Sequence, residues 1–166
     1  MYLNTTAAAA DDVKYFNDTS PTSSLFSIGI DGTTNDSSNT YIAYVFTPVQ
    51  GYSKFGTYTG NGNADGTFVY TGFRPAFFMV KRTDSTNDWY IVDNKRLGYN
   101  VDNNLLFPNL TTADNTGDYV DILSNGLKTR TTDGGWNASG ATYIYMAFAE
   151  QPFVNSNGVP CNARWF

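Results

Sequence analysis

Apolar and polar residues alternate along several short stretches of the chain, and residues that favour turns bound each stretch. The apolar stretches are SLFSIGI (24–30), TYIAYVFTPV (40–49), GTFVYTGF (66–73), AFFMVKRT (76–83), DWYIVDNKR (88–96), YVDILSNGLKTRT (119–131) and TYIYMAFAEQPF (142–153). Segments rich in Gly, Asn, Asp, Ser and Thr, such as GNGNADG and TTDGGWNASG, separate them. Short strands at regular spacing with turn signals between them predict an antiparallel β-sandwich or barrel.

The middle stretches are apolar on both faces. In AFFMVKRT, alternation places Phe77 and Met79 on one face and Phe78 and Val80 on the other, and DWYIVD alternates in the same way. This is the pattern of central sandwich strands, which are covered on both sides. The alanine run in 6–16 predicts at most one short helix or a loop.

Composition and charge exclude several functions. Aromatic residues make up 16% and charged residues 15% of the 166 residues, and the net charge is −5. The 10 Lys and Arg residues form no cluster, so we expect no nucleic-acid partner. No apolar run approaches the roughly 20 residues that cross a bilayer, so we expect no membrane insertion. The opening MYLNTTAAAADD lacks the features of a secretory signal.

The chain contains no histidine, which excludes Ser-His-Asp and Cys-His catalysis and an imidazole-bound zinc site. An enzyme could still use two carboxylates, as glycosidases do, and Asp88 and Asp93 flank WYIV. Five residues along a strand place them on opposite faces, roughly 17 Å apart, which disfavours such a pair. We expect no catalytic residue, no cofactor and no metal. Cys161 is interpreted as an incidental thiol on the tail rather than an interchain bridge.

Three polar loops are candidate sites. NGNADG (61–66) has the composition of a calcium loop but lacks the glutamate at the twelfth position, so a hairpin turn is favoured. DSTND (84–88) is interpreted as a loop that leads into a strand. In DGGWNASG (133–140), Trp136 has amide neighbours and no strand pattern around it. Trp136 and Asn137 are therefore candidate ligand-binding residues, because rings stack on sugars and amides bind hydroxyls. The alternative is that Trp136 folds back as a lid on the core.

Two apolar stretches repeat one phrase. TYI at 40–42 recurs at 142–144, and NDSSNT at 35–40 falls on NASGAT at 137–142. Two weaker echoes occur in the same order, LFSIGIDG with ILSNGLKT and YLNTTAAA with LFPNLTTAD. The shared order favours a true internal repeat.

The repeat divides the chain unequally. Residues 1–50 match only the second half of a unit, 51–153 form a complete unit, and 154–166 are a C-terminal tail. A half sandwich exposes unpaired strand edges and a bare apolar face. We therefore expect it to be completed by residues upstream of Met1, or by packing on the next unit or a neighbouring chain, with TPVQGYSK (47–54) as the joint.

The complete unit resembles a known family. The phrases YTGNG, GFRPAF, VKRTD, DWYIVD and YIYMAFAE resemble a domain that occurs in tandem in tail-fibre and related structural proteins of marine bacteriophages. That domain is similar to concanavalin-like, SPRY-type sandwiches. The resemblance covers nearly the whole chain and implies an all-β, antiparallel sandwich of jelly-roll type with short loops. The family offers no catalytic residues that could be assigned to positions of this chain.

The resemblance implies a virion structural protein, a module of a tail fibre or other external appendage, and not an enzyme. Its implied partners are copies of itself, with a trimer favoured, other virion proteins and a host surface glycan or protein. A capsid decoration or head-fibre protein is the alternative, and the sequence does not separate it from a tail fibre. A carbohydrate-active enzyme is the third possibility, and the absent histidine and the spacing of the carboxylates count against it.

Overall fold

The structure, a computed structural model, describes residues 1–96, 100 and 104–151. The elements of this part are α1 (Val13–Phe16), α2 (Gly32–Asn35), β1 (Ser53–Thr59), β2 (Phe68–Tyr70), β3 (Pro75–Arg82), β4 (Trp89–Asp93), β5 (Val120–Leu123), β6 (Gly126–Thr129) and β7 (Thr142–Ala149). Strands dominate and both helices are 4 residues long. The all-β prediction is confirmed, although two short helices form where at most one was expected. The jelly-roll type stays a prediction.

The described strands form two antiparallel sheets. One has the order β1-β7-β3-β4 and the other the order β2-β6-β5. In the larger sheet β7 is a central strand, with Tyr143 opposite Tyr58 on β1 and opposite Arg82 on β3. The closing strand therefore joins the first strand of the unit to the third, and the larger sheet depends on it.

The core lies between the two sheets. Phe78, Val80 and Tyr143 of the larger sheet are fully buried, as is Leu127 of the smaller one. Aromatic pairs fill much of this space, with Tyr58 stacked on Tyr143 at 4.8 Å and Phe78 on Tyr145 at 5.2 Å between ring centroids. Offset stacking adds to the free energy gained by burying the rings. The predicted alternation in β3 is confirmed for Phe78 and Val80, which point inward.

Several strand predictions are confirmed within the complete unit. The stretches at 66–73, 88–96 and 142–153 contain β2, β4 and β7, and 76–83 covers β3 except for Pro75; residues 152 and 153 lie outside the described part. The stretch at 119–131 is not one strand but a hairpin, because the chain turns between Leu123 and Gly126. Strand β1 was not predicted, because SKFGTYT has few apolar residues and a glycine at its centre.

The strand predictions at 24–30 and 40–49 are wrong. All of these residues are described, and none lies in a strand, although Val49 forms an isolated bridge to Ser53. Residues 10–46 separate as a compact unit of their own by their backbone contacts. A strand needs neighbours to bond with, and the β-propensity of a segment is realised only where a pleated surface receives it. No strand forms within residues 10–46, so no pleated surface is present there.

Residues 1–9 group with the sandwich rather than with the half unit expected at 1–50. The Ala9 N–H donates to the Thr83 carbonyl at 2.8 Å, and the Trp89 indole N–H donates to the Tyr2 carbonyl at 3.0 Å. The division at Thr47 lies within the predicted joint, whereas the tail at 154–166 and Cys161 lie outside the described residues. Among the described helices, none has the length and apolar character to cross a membrane.

Candidate functional site

The loop that carries Trp136 begins at Asp133. The Asp133 carboxylate accepts the Gly135 N–H at 2.8 Å, and its carbonyl accepts the N–H groups of Trp136 and Asn137 at 3.1 and 2.7 Å. Aspartate favours such a turn because its short side chain bonds the backbone two residues further on. The turn aims the Trp136 and Asn137 side chains inward.

Trp136 is fully buried, in the position that the sequence left open as the alternative. It lies 5.5 Å from Tyr90 between ring centroids, and its carbonyl accepts the Tyr58 hydroxyl at 2.8 Å. Its indole N–H has no hydrogen-bond partner in the described part of the chain. Neither face of the Trp136 ring is exposed to solvent, which agrees with the interpretation that the residue folds back onto the core.

Asn137 is also fully buried, and it joins two loops instead of facing a ligand. Its Nδ2 donates to the Asn61 Oδ1 at 2.9 Å, to the Asn63 carbonyl at 2.7 Å and to the Thr131 carbonyl at 2.9 Å. Its Oδ1 accepts the Asn61 N–H at 2.9 Å. Removing a buried amide that is hydrogen-bonded at both ends costs considerable stability. Asn137 therefore holds the β1–β2 loop against the loop at 133–140.

The loop at 131–143 occurs a second time, at 29–41. The Asp31 carboxylate accepts the N–H of Thr33 at 2.8 Å, and its carbonyl accepts those of Thr34 and Asn35 at 3.0 and 2.8 Å. Asp133 makes the same hydrogen bonds 102 residues further along the chain. The same offset relates Tyr41 to Tyr143.

The tyrosine that closes each loop is bonded in the same way. The Tyr143 hydroxyl donates to the carbonyl nine residues before it and accepts the N–H five residues before it, both at 2.8 Å. The Tyr41 hydroxyl makes the equivalent bonds at 2.6 and 2.9 Å. Asn35 donates to the Gly29 carbonyl at 2.6 Å, as Asn137 does to Thr131. The internal repeat is therefore visible as one loop built twice.

The two loops differ in what surrounds them. Asn137 is buried against the β1–β2 loop, whereas Asn35 is exposed and bonds only within its own segment in the described contacts. Tyr143 is fully buried, but Tyr41 is 43% exposed. Beyond Tyr41 the side chains of Ile42, Tyr44 and Val45 are 74–82% exposed. The second loop is thus formed but lacks the surroundings of the first.

The unit at 10–46 is unusual because it exposes many apolar side chains. No large hydrophobic residue of 10–46 is buried, and the exposed ones are Val13, Phe16, Leu25, Phe26, Ile28, Ile30, Tyr41, Ile42, Tyr44, Val45 and Phe46. Concentrated exposed apolar surface marks a place of interaction rather than a finished domain. Sequence reasoning predicted a bare apolar face for this half unit. It missed the paired asparagines, for which the only signal was the match of NDSSNT to NASGAT.

The other polar loops connect strands. NGNADG does not turn a hairpin, because it connects β1 of one sheet to β2 of the other. Asp65 in this loop pairs with Lys128 at 2.9 Å, and that hydrogen bond lowers the pKa of the carboxyl. Among the described residues, no three acidic, cysteine or histidine side chains come together as metal ligands. DSTND connects β3 to β4, as predicted.

The two carboxylates beside WYIV make structural bonds. Asp88 accepts the Asn109 side-chain amide at 2.8 Å. Asp93 accepts the Arg96 guanidinium at 2.8 Å and the N–H groups of Lys95 and Arg96 at 2.8 and 2.9 Å. Burial alone would raise the pKa of Asp93, but these hydrogen bonds lower it. Both groups therefore fix the chain at the ends of β4.

One groove on the sandwich carries an exposed ring. It has a volume of about 580 Å³ and lies between β1 and β2, lined by Val49, Gln50, Lys54, Tyr70 and Phe73 among others. Tyr70 is 57% exposed, and the Lys54 ammonium lies 5.0 Å from the centre of its ring. An accessible ring beside an ammonium, in a groove that also has an amide in its lining, suits weak contact with hydroxylated ligands.

The described part of the chain comprises a β-sandwich and a separate unit at 10–46, and each contains one copy of the loop. The sequence profile of DUF7483, a domain of unknown function, matches residues 1–152, and the chain belongs to this family. No curated protein and no solved structure matches the chain. The match spans the sandwich and the segment with the second loop, so both belong to the family's domain.

Proposed function

We propose that this protein is a structural module of a bacteriophage virion, assembled into a tail fibre or other external appendage. The observation that carries the proposal is the unit at 10–46, which has a formed loop and many exposed apolar side chains but no core. Such a segment is suited to joining modules. The resemblance to tandem tail-fibre domains agrees with this role, and a homo-oligomer, with a trimer favoured, is part of the proposal.

Mass spectrometry of purified particles tests this role. The proposal predicts that peptides of the chain are found in intact virions after density-gradient purification, at a constant ratio to the major capsid protein. Tail preparations separated from heads should retain these peptides. Their presence only with heads would favour capsid decoration, and their absence from particles would contradict a virion role.

Contact with a host surface glycan is the second candidate function, and the groove beside Tyr70 favours it. Because Tyr70 is more than half exposed, Tyr70→Ala should leave the melting temperature nearly unchanged while it weakens binding to host envelope at least several-fold. Phe68→Ala is the matched control, since Phe68 is also on β2 and 41% exposed but does not line the groove. Equal loss in both variants, or in neither, contradicts the assignment of the groove.

A further inference from the structure

The segment at 40–47 is the sequence counterpart of β7. Thr40, Tyr41, Ile42 and Phe46 are identical to the residues 102 positions further on, which lie in that strand. In the complete unit β7 bonds to β1 on one side and to β3 on the other. The strand partners of the matching segment in β7 are therefore known residue by residue.

The partners of the loop ahead of β7 are known as well. Asn137 holds the β1–β2 loop through Asn61 and Asn63, and Tyr58 of β1 donates to the carbonyl of Trp136. The counterparts at 31–41 have the same internal hydrogen bonds but none of these outer ones in the described contacts. What is missing around the second loop is the same set of groups that surrounds the first.

We propose that residues 29–47 are the closing part of a second sandwich and bind the β1–β4 stretch of another copy of this module, one that is not closed by a β7 of its own. Asn35 then clasps the β1–β2 loop of that copy, and 40–47 becomes a strand between its β1 and β3. Tyr41, Ala43 and Val45 turn inward, as Tyr143, Tyr145 and Ala147 do in β7. The occupant is a second copy because the pairing of β1 and β3 with this phrase is the one that the fold displays.

Hydrogen exchange on an extended chain tests this inference. A second copy of residues 47–105 is placed ahead of Met1, so that the order of segments repeats that of the complete unit. In the original chain, amides of 40–47 should exchange rapidly while those of 142–149 are protected. In the extended chain, protection of 40–47 should rise by at least about 100-fold, toward the value for β7.

Two matched variants of the extended chain serve as controls. One carries Asp in place of the added copy's Phe78 and Val80, which destroys the inner face of the added β3. The other carries Asn35→Asp, which places a carboxylate against acceptors of the added loop. Both should return 40–47 to rapid exchange, with 142–149 still protected. Unchanged exchange of 40–47 on extension, or equal protection in the chain and all variants, overturns the inference.

The inference rests on the proposed structural role, and the two fail separately. A protein that is found in virions but shows no protection of 40–47 in the extended chain keeps the role and loses the partner. A protein that is absent from virions but shows the full protection keeps the partner and loses the virion assignment.

Discussion

Asn35 and Asn137 occupy equivalent places in the two copies of one loop, yet their surroundings give them different energetic weight. Asn137 is fully buried with both ends of its amide bonded, whereas Asn35 is exposed. A buried polar group costs the most when its partners are removed, and an exposed one is rehydrated by water. Equivalent substitutions at the two positions should therefore give unequal results.

We expect Asn137→Asp to lower the free energy of unfolding of the sandwich by about 2–4 kcal/mol, because a carboxylate would face carbonyl oxygens. Asn35→Asp in the same chain should change it by no more than about 0.5 kcal/mol. Urea denaturation followed by tryptophan fluorescence measures both. Equal destabilisation by the two substitutions would contradict the difference in their surroundings.

Trp136 gives a second prediction at this scale. Trp136→Ala should cost about 3–5 kcal/mol, because it removes a fully buried ring that packs on Tyr90. Trp136→Phe should cost less than half as much, since phenylalanine keeps an aromatic ring and removes an indole N–H that lacks a partner. The melting temperatures of the two variants decide the matter. If Trp136 instead faced solvent, both would melt near the parent chain.

The buried tyrosines predict a loss of stability in alkali. Burial raises the pKa of Tyr58 well above its ordinary value near 10, with the nearby Tyr143 adding to the effect, and burial also raises the pKa of Tyr143 and Tyr145. The folded state keeps these protons where the unfolded state has lost them. Stability is therefore full below about pH 10 and falls as the pH rises further.

The measurement is urea denaturation between about pH 8 and 11. Tyr58→Phe removes one of the raised phenols, so its stability should fall less steeply above about pH 10, while at neutral pH it should lose about 1 kcal/mol for the bond to the Trp136 carbonyl. An alkaline slope identical to that of the parent would show that Tyr58 does not titrate in this way.

At the scale of elements, the sequence shows whether a segment has the apolar alternation of a strand. It does not show whether neighbouring strands are in place to pair with that segment. β3, β4 and β7 could be predicted because their apolar residues alternate between the buried core and a half-buried outer face. β1 could not, because its place at the edge of the sheet comes from pairing with β7 and not from its own apolar pattern. The stretch at 40–49 was predicted as a strand for the same reasons as β7. It does not form one, because no strand within residues 10–46 is there to pair with it.

The burial of Trp136 was one of two interpretations that the sequence left open, and the residues of the loop alone could not decide between them. The loop residues Asp133 and Gly135 signal a turn, but the direction of the ring depends on space between sheets that are far apart in the chain. The match of NDSSNT to NASGAT pointed to equivalent loops, yet only the hydrogen bonds show which asparagine has partners. Local sequence signals predicted the turns, whereas long-range packing determines which side chains of the two loops are buried and hydrogen-bonded.

A matched pair of substitutions tests the strand argument. Val45 is the counterpart of Ala147, which is fully buried in β7, but Val45 is 74% exposed. Ala147→Asp should unfold the sandwich or cost at least about 4 kcal/mol, because it buries an unpaired charge. Val45→Asp should leave the unfolding transition of the sandwich unchanged. Circular dichroism melting curves compare them, and a large loss of stability with Val45→Asp would mean that 40–47 is already part of a core.

At the scale of the whole molecule, the chain combines a β-sandwich with a separate unit at 10–46, which carries a second copy of one loop and a sequence similar to that of β7. The sandwich has a stacked aromatic core and closes with its own β7. The unit at 10–46 exposes its apolar side chains, and the DUF7483 match covers both parts. This arrangement favours modules that complete one another, and the virion appendage is the assembly that we propose for them.

Cryo-electron microscopy of intact particles tests the account most directly, because it shows both where the chain lies and what contacts residues 40–47. The account predicts density for the chain in an external appendage, with 40–47 as a strand between β1-like and β3-like strands of another copy. Particles without the chain, or a chain in the appendage whose residues 40–47 pair with no other module, would contradict it.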